Sequence, residues 1–160
     1  MSSTKVILVP TDFGDSAELA LDHAIEIARV MKARIVLLYS CPTLYLSSFD
    51  GAIVPNADVV ESMRDAGRRG LAQSIARHLH TDVEIRPLST LGDPRTCILE
   101  VAKETGADLI VMGTHGRRGL SRLLLGSTAE AIVRTSPIPV LTVHAPVVAK
   151  EVSAQSARQA

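Results

Sequence analysis

The sequence predicts an α/β fold in which a doubly wound, five-stranded parallel sheet carries helices on both faces. Residues 6–9 and 109–112 are wholly apolar, which is typical of strands that are covered on both sides. Segments with apolar residues at helical spacing follow the strand patterns, and glycine and proline separate them. The resulting order is β-α-β-α-β-α-β-α-β in one domain, residues 1–145, and residues 146–160 are expected to be a polar, disordered tail.

The first strand and helix have clear patterns. The strand at residues 6–9 is followed by a turn and by a helix that extends to about residue 31. Asp15 and Glu18 have the spacing of a capping pair at the start of this helix, and one stripe of apolar residues predicts its buried face. Residues 34–39, which are apolar after Arg34, predict the second strand, which ends near Ser40.

The middle of the chain is less regular. Residues 42–56 mix turn residues with scattered apolar ones and predict an irregular segment. The sequence leaves open whether this segment covers a binding site as a flap or forms a dimer contact. The next helix, residues 57–79, is interrupted by Gly67 and Gly70 and is expected to be the least stable helix. Residues 82–88 predict a third strand, and a proline near its end favours the sheet edge.

The helix that follows has well-marked ends. Asp93 and Pro94 predict an N-cap with proline at the first helical position, and Gly106 predicts the residue at which the helix stops. The last strand is predicted at residues 139–143.

Composition argues against several classes of function. The formal net charge is zero, aromatic residues make up 2% of the chain and Trp is absent, so neither nucleic acid nor an anionic membrane is favoured as a partner. No apolar run approaches the roughly 18 residues of a membrane span, and the N-terminus does not resemble a signal peptide. A soluble protein in the reducing cytoplasm is therefore expected. Cys41 and Cys97 lack metal-ligand spacing. We expect Cys41 to be an unreactive residue at the end of a strand and Cys97 to be a core residue of a helix.

A glycine-rich stretch between a buried strand and a helix is the first candidate for a binding site. The connection over residues 114–126 is longer than the usual 2–6 residues or so of such units. Ser127 and Glu130 then have capping-box spacing for a short helix over residues 129–134. Strand, glycine-rich loop and helix N-terminus in this order suit an anion, although no Walker A motif G-x-x-x-x-G-K-[ST] occurs.

A second candidate lies at the end of the first strand. Asp12 is at the carboxyl end of that strand, where open α/β sheets contact their ligands. An aspartate in a turn also commonly accepts hydrogen bonds from its own backbone, so position alone leaves both roles open.

These features together resemble a known family. The spacing G-x2-G-x9-G-S over residues 113–127 resembles the glycine signature of the ATP-binding branch of the universal stress protein (UspA-like) family. Residues 5–13 and 137–143 resemble the family's first strand with its turn and its last strand. The resemblance implies a Rossmann-like, flavodoxin-like fold with strand order 3-2-1-4-5 and a nucleotide crevice between the first and fourth strands. It also implies ATP with Mg²⁺ or Mn²⁺ as the ligand, and a homodimer formed through the last strand.

The resemblance and the positions together predict a set of nucleotide-contacting residues. They are Pro10, Thr11, Asp12, Ser40, Met112, Gly113, His115, Gly116, Gly126, Ser127 and Thr128. Asp12, as an acceptor, suits ribose hydroxyls or a hydrated metal ion. Val9 and Met112 are expected to contribute an apolar slot for the base. Many relatives carry His-Val where this chain has Tyr39-Ser40, and the backbone near Ser40 corresponds to the position that meets the adenine.

Three alternatives to a nucleotide-binding regulator fit the sequence less well. A module of the same fold that binds proteins but no nucleotide would lack the glycine signature, which is intact here. Nucleotidyl transferases carry H-x-G-H, whereas residues 114–117 read T-H-G-R and lack the second histidine. A flavin carrier is disfavoured because few aromatic residues are available to stack on the flavin. Without a P-loop lysine, ATP hydrolysis is expected to be slow at most, so the chain is not predicted to be an enzyme.

Overall fold

The computed structural model describes residues 4–42, 46–48, 51–53, 57–114 and 125–145. Strands and helices alternate along most of the chain, and no described helix is long and apolar enough to cross a membrane. The elements are β1 Val6–Pro10, α1 Asp15–Met31, β2 Arg34–Cys41, β3 Leu46–Ser48, β4 Gly51–Ile53, α2 Ala57–Ala76, β5 Ile85–Leu91, α3 Pro94–Thr105, β6 Leu109–Gly113, α4 Ser127–Thr135 and β7 Val140–Val143.

The main sheet has five parallel strands in the order β5-β2-β1-β6-β7. Counting only the strands of this sheet, the order is 3-2-1-4-5, so the predicted fold class and strand order are confirmed. Leu8 in the central strand pairs with Val36 on one side and with Ile110 on the other. The described part of β7 pairs only with β6, and β5 only with β2, which makes these two strands the edges.

Alternation along β1 supplies two separate cores. Ile7 and Val9 pack with residues of α1 and α2, including Leu21. Leu8 packs with residues of α3 and α4, including Ile132. The helices that follow β1 and β6, namely α1 and α4, therefore lie on opposite faces of the sheet. This arrangement makes the junction of β1 and β6 the switch point at which a doubly wound sheet opens a crevice.

The segment predicted to be irregular contains a short hairpin. β3 and β4 form a separate antiparallel pair in which Leu46 is opposite Ile53. Strands of three residues are too short to show an alternating pattern in the sequence, which explains why they were not predicted. The role of this segment as a flap or a dimer contact stays a prediction.

Several predicted boundaries shift by a few residues. α2 ends at Ala76, earlier than predicted, and β5 begins at Ile85 and continues to Leu91. β5 is an edge strand, as its proline indicated. Asp93 is the N-cap of α3, and Gly106 ends that helix with φ +63 in the left-handed region, as predicted.

Both capping pairs predicted beside the crevice were wrong, because each helix begins one residue after a glycine. Gly14 is the N-cap of α1 and Gly126 is the N-cap of α4, so Asp15 and Ser127 are already helical. The reason is that both glycines are fixed by other bonds: the amide of Gly14 donates to a carboxylate oxygen of Asp12, 3.0 Å away, and the amide of Gly126 donates to the carbonyl oxygen of Thr114, 2.7 Å away.

Candidate functional site

The end of β6 lies directly against the first turn of α1. A Cβ added to Gly113 would come within 2.7 Å of Ser16 Cβ and of the Ser16 carbonyl carbon, and within 2.9 Å of the Ala17 amide nitrogen. Real Cβ atoms essentially never approach other atoms so closely, so only glycine fits here without a shift of the backbone. The absence of a side chain at Gly113 therefore lets the end of β6 pack directly against α1, the helix that follows the Asp12 turn.

The turn after β1 is fixed by its own polar side chains. The amide of Thr11 donates to the carbonyl oxygen of Leu38, 2.8 Å away, which continues the pairing of β1 with β2. The Thr11 hydroxyl oxygen accepts from the amide of Phe13 at 2.9 Å, and Asp12 Oδ1 accepts from the amide of Gly14 at 3.0 Å. Asp12 thus has the structural role that was one of its two predicted roles. An ionised carboxylate offers about four acceptor positions, so this bond does not exclude contact with a ligand.

The two ends of the glycine-rich connection are tied together. The carbonyl oxygen of Thr114 accepts from the amide of Gly126 at 2.7 Å, and the amide of Thr114 donates to the carbonyl oxygen of Val143 at 2.9 Å. The Thr114 hydroxyl lies 3.0 Å from Nδ1 of His144. The start of α4 is therefore fixed at the carboxyl ends of β6 and β7. His115 and Gly116, which were predicted to contact the ligand, lie outside the described residues.

The first turn of α4 faces the same edge of the sheet. Ala129 and Ile132 are buried and anchor the helix on the core that it shares with α3. The side chain of Ser127 is exposed, and that of Thr128 is half-buried. Because the N-cap is glycine, residue 126 supplies no side-chain oxygen to the backbone amides of the first turn, which have no partner within the helix. Such amides, together with the helix dipole, suit an anion.

Val9 and Met112, predicted to contribute an apolar slot for the base, are core residues in the structure. Val9 is 0% exposed and Met112 is 4% exposed, and they belong to the two opposite cores. Their contribution to a slot for the base stays a prediction. Ser40 is half-buried at the end of β2, and its hydroxyl oxygen accepts from the Thr90 hydroxyl of β5 at 3.5 Å.

An aromatic pair beside the Asp12 turn was not predicted from the sequence. The rings of Phe13 and Tyr39 are stacked, with centroids 4.8 Å apart and an interplanar angle of 26°. The backbone of α2 passes against this pair at Gly67 and Gly70. The two glycines predicted to weaken α2 therefore have a packing role, and their spacing of three residues on one helix face was the available signal.

A separate cavity of about 270 Å³ lies between α2 and the end of β5. It is lined by Glu61, Arg64, Arg68, Ser89, Thr90 and Leu91. Its arginines lie beside acidic groups, since Arg68 is 2.6 Å from Glu61 and 2.9 Å from Asp65. With its positive charges balanced, this cavity is a weaker candidate for an anionic ligand than the β1–β6 junction.

The two cysteines are buried, as their predicted structural roles require. Burial raises the pKa of the Cys41 thiol above its ordinary value, and the charge of Arg64 opposes this rise. A thiol that is held protonated is a poor nucleophile. Within the described ranges, no group of three or more His, Cys, Asp or Glu side chains could hold a metal ion.

Sequence comparison identifies relatives over nearly the whole chain. Residues 3–144 match the model of the universal stress protein family. Universal stress protein MJ0531 of Methanocaldococcus jannaschii is 35% identical over 144 residues, which cover 89% of this chain and 83% of the relative.

Structural comparison finds the same kind of protein. The solved structure of protein MJ0577, also from Methanocaldococcus jannaschii, matches with a TM-score of 0.78 at 26% identity, over 91% of this chain and 99% of that one. A universal stress protein solved in complex with cAMP matches with a TM-score of 0.68 at 27% identity, over 91% of this chain and 100% of that one.

Proposed function

The chain belongs to the universal stress protein family, and from that premise we propose that it binds ATP and acts as a nucleotide-dependent regulatory protein of the stress response. The binding site is the crevice between β1 and β6, with the Asp12 turn on one side and the start of α4 on the other. A cytoplasmic location is part of this proposal.

The observation that carries the proposal is the pair of glycine N-caps at the switch point. α1 and α4 approach the β1–β6 junction from opposite faces, and each begins after a glycine, Gly14 or Gly126. The first turn of α4 offers backbone amides to an anion, and its start is held in place by the bond between Gly126 and Thr114. A polyphosphate suits this end of the crevice, and the exposed Ser127 hydroxyl can add a further hydrogen bond.

The Asp12 side suits the sugar and a metal ion. Asp12 can accept from ribose hydroxyls in addition to the amide of Gly14, which it already binds. Mg²⁺ and Mn²⁺ are usually held by one or two carboxylates together with the phosphates of the substrate. In this proposal the ion enters with the nucleotide, and Asp12 supplies a ligand to it.

An adenine nucleotide is the class of ligand that the relatives favour. The structural neighbour in complex with cAMP shares 27% of its sequence with this chain and is covered completely by it. This likeness supports the nucleotide class, while the choice of ATP over other adenine nucleotides rests on the backbone amides that the first turn of α4 offers to a polyphosphate.

Binding rather than turnover is the proposed activity. Rapid phosphoryl transfer needs cationic groups at the γ-phosphate and a positioned nucleophile. The sequence has no Walker A lysine, and none of the described residues of the Asp12 turn or of the first turn of α4 is Lys or Arg. Any hydrolysis is therefore expected to be slow.

A homodimer through β7 completes the proposal. β7 is an edge strand in the described sheet, and Leu141 on it remains 39% exposed. Nearby on the chain, Val133 of α4 is 49% exposed. An open edge that carries apolar residues is typical of a surface that pairs with a second chain.

Calorimetric and thermal-shift titration of a nucleotide-free preparation with ATP·Mg²⁺, AMP, cAMP and GTP tests the proposal. ATP at about 100 times its Kd should raise the free energy of unfolding by about 2.7 kcal/mol. Gly126→Val places a branched side chain at the start of α4 and should abolish the shift. Thr135→Val, at the exposed far end of the same helix, is the matched control and should bind as wild type does. If wild type binds none of these nucleotides, the proposal fails, and a protein-binding module of the same fold becomes the better hypothesis.

A further inference from the structure

Phe13 connects the proposed nucleotide site to the interior of the protein. Its neighbours Asp12 and Gly14 form the site turn, in which the Phe13 amide donates to the Thr11 hydroxyl oxygen and the Gly14 amide donates to Asp12 Oδ1. The backbone of Phe13 has φ +65, in the left-handed region that bulky residues rarely adopt. Such a conformation persists only where surrounding contacts hold it in place.

The contact that holds Phe13 comes from α2. A Cβ added to Gly70 would lie 2.5 Å from Phe13 Cζ and 2.6 Å from Cε2, so the helix backbone itself touches the ring. One turn earlier, a Cβ added to Gly67 would lie 2.5 Å from Cδ1 of Tyr39. The ring of Phe13 is therefore enclosed between the backbone of α2 and the ring of Tyr39, which α2 also contacts.

This enclosure limits how the ring can move aside. If a side chain were added at position 70, the Phe13 ring could shift towards Tyr39 only together with the Tyr39 ring, because the two rings are already stacked with centroids 4.8 Å apart. The added atom is therefore expected to act on the backbone of Phe13 or on α2.

The far end of α2 is fixed to α1 by polar contacts. The Ser74 hydroxyl donates to Glu18, and Arg77 forms an ion pair with the same carboxylate at 2.8 Å. His78 lies 2.8 Å from Asp22. With α2 held along α1, an added side chain at position 70 is expected to displace the backbone of Phe13 rather than the helix.

We propose that Gly70 is a positioning residue for the nucleotide site: it lets α2 hold the Phe13 ring and thereby fixes the turn that presents Asp12. The proposal rests on the proposed function, since Asp12 is taken to contact the nucleotide. Linkage requires the reverse effect as well, so a nucleotide bound at the turn stabilises the packing of α2 on the ring pair.

Gly70→Ala tests the proposal in two measurements. Nucleotide affinity, measured by calorimetry well below the melting temperature, should weaken about tenfold, within the range of coupling between residues in contact. Hydrogen exchange of the Phe13 and Gly14 amides in the nucleotide-free protein should become faster, because their acceptors are displaced. Ala72→Val adds bulk to the exposed face of the same helix and should change neither quantity.

A compensating substitution separates positioning from general destabilisation. Phe13→Leu removes the Cε and Cζ atoms that a Cβ at position 70 would meet, so Gly70→Ala should cause no further loss of affinity in that background. The proposal is overturned if Gly70→Ala binds nucleotide as wild type does, or if it weakens binding equally in both backgrounds. If wild type binds no nucleotide, the proposed function fails separately, and unchanged exchange of the two amides in Gly70→Ala then overturns the positioning role.

Discussion

The amide of Gly126 donates a hydrogen bond of 2.7 Å to the carbonyl oxygen of Thr114, although twelve positions of sequence separate the two residues. This bond fixes the start of α4 beside the end of β6. With Gly126 held there as the N-cap, α4 begins at Ser127, and Ser127 is not the cap that the sequence predicted. The bond therefore holds the amides proposed to bind phosphate beside the end of β6.

Gly126→Pro should lower the stability of the folded protein, because it removes the hydrogen bond between Gly126 and Thr114. The φ angle of Gly126 is −59, close to the angle that proline requires, so the substitution removes the donor without straining that angle. The Thr114 carbonyl oxygen would lose its partner, and we expect the free energy of unfolding to fall by about 1–2 kcal/mol relative to Gly126→Ala, which keeps the amide. Urea denaturation of the two variants measures the difference, and equal stabilities would show that the bond contributes nothing.

Gly113→Ala should be more damaging than Gly14→Ala, although both positions lie beside the crevice. The new Cβ at position 113 would meet backbone atoms of Ser16 and Ala17 at 2.7 and 2.9 Å, and these cannot rotate away. At position 14 the nearest atom, 3.0 Å away, is a terminal carboxylate oxygen of Asp12, which can move. We expect a loss of about 1–3 kcal/mol for Gly113→Ala, typical of overpacking, and less for Gly14→Ala. Denaturation midpoints of both variants decide this, and the reverse ranking would contradict it.

The sequence was sufficient where a feature depends on neighbouring residues. The Asp93 cap and the Gly106 stop were predicted correctly, because each depends on local backbone preferences. Apolar runs placed the central strands, while the strand order followed from the family resemblance.

The features that the sequence did not reveal depend on distant partners. Ser127 and Glu130 have ideal capping-box spacing, yet the bond from Gly126 to Thr114 moves the helix start, and nothing within the local window indicates it. Gly70 resembles a helix breaker until the ring of Phe13, far away in sequence, is found against it. Both features lie next to the proposed site, where elements approach each other closely.

Leu141→Lys tests the proposed dimer. Leu141 is 39% exposed on β7, whose described residues pair only with β6, and a lysine on an open strand edge opposes pairing with another strand. We expect the dimer dissociation constant to rise at least about tenfold, equivalent to about 1.4 kcal/mol, in analytical ultracentrifugation. Val30→Lys, at a residue of α1 that is 86% exposed, is the control and should leave assembly unchanged. A Leu141→Lys protein that remains as dimeric as wild type would place the interface elsewhere.

His78 links α2 to α1 in a manner that depends on pH. Its Nδ1 lies 2.8 Å from the carbonyl oxygen of Ser74 and its Nε2 lies 2.8 Å from Asp22 Oδ1, and only the protonated ring donates to both acceptors. Burial lowers the pKa of His78, but the hydrogen bonds to Asp22 and Ser74 and the negative charges of Asp22 and Glu18 outweigh it, so the pKa is raised above its ordinary value of 6.5. Arg77, which pairs with Glu18, is the neighbouring positive charge.

The sign of the pH effect follows from this raised pKa. The folded state holds the proton more tightly than the unfolded chain, so the stabilisation is fully present below about pH 6.5 and is lost as the pH rises through the folded-state pKa. His78→Gln, which cannot carry the charge, should therefore be less stable than wild type at pH 5.5 by about 1 kcal/mol, and the difference should shrink at pH 8.5. Urea denaturation at both pH values measures it, with His80→Gln, at an exposed histidine two residues away, as the control. A stability difference for His78→Gln that is the same at both pH values would show that protonation of this ring does not hold the two helices together.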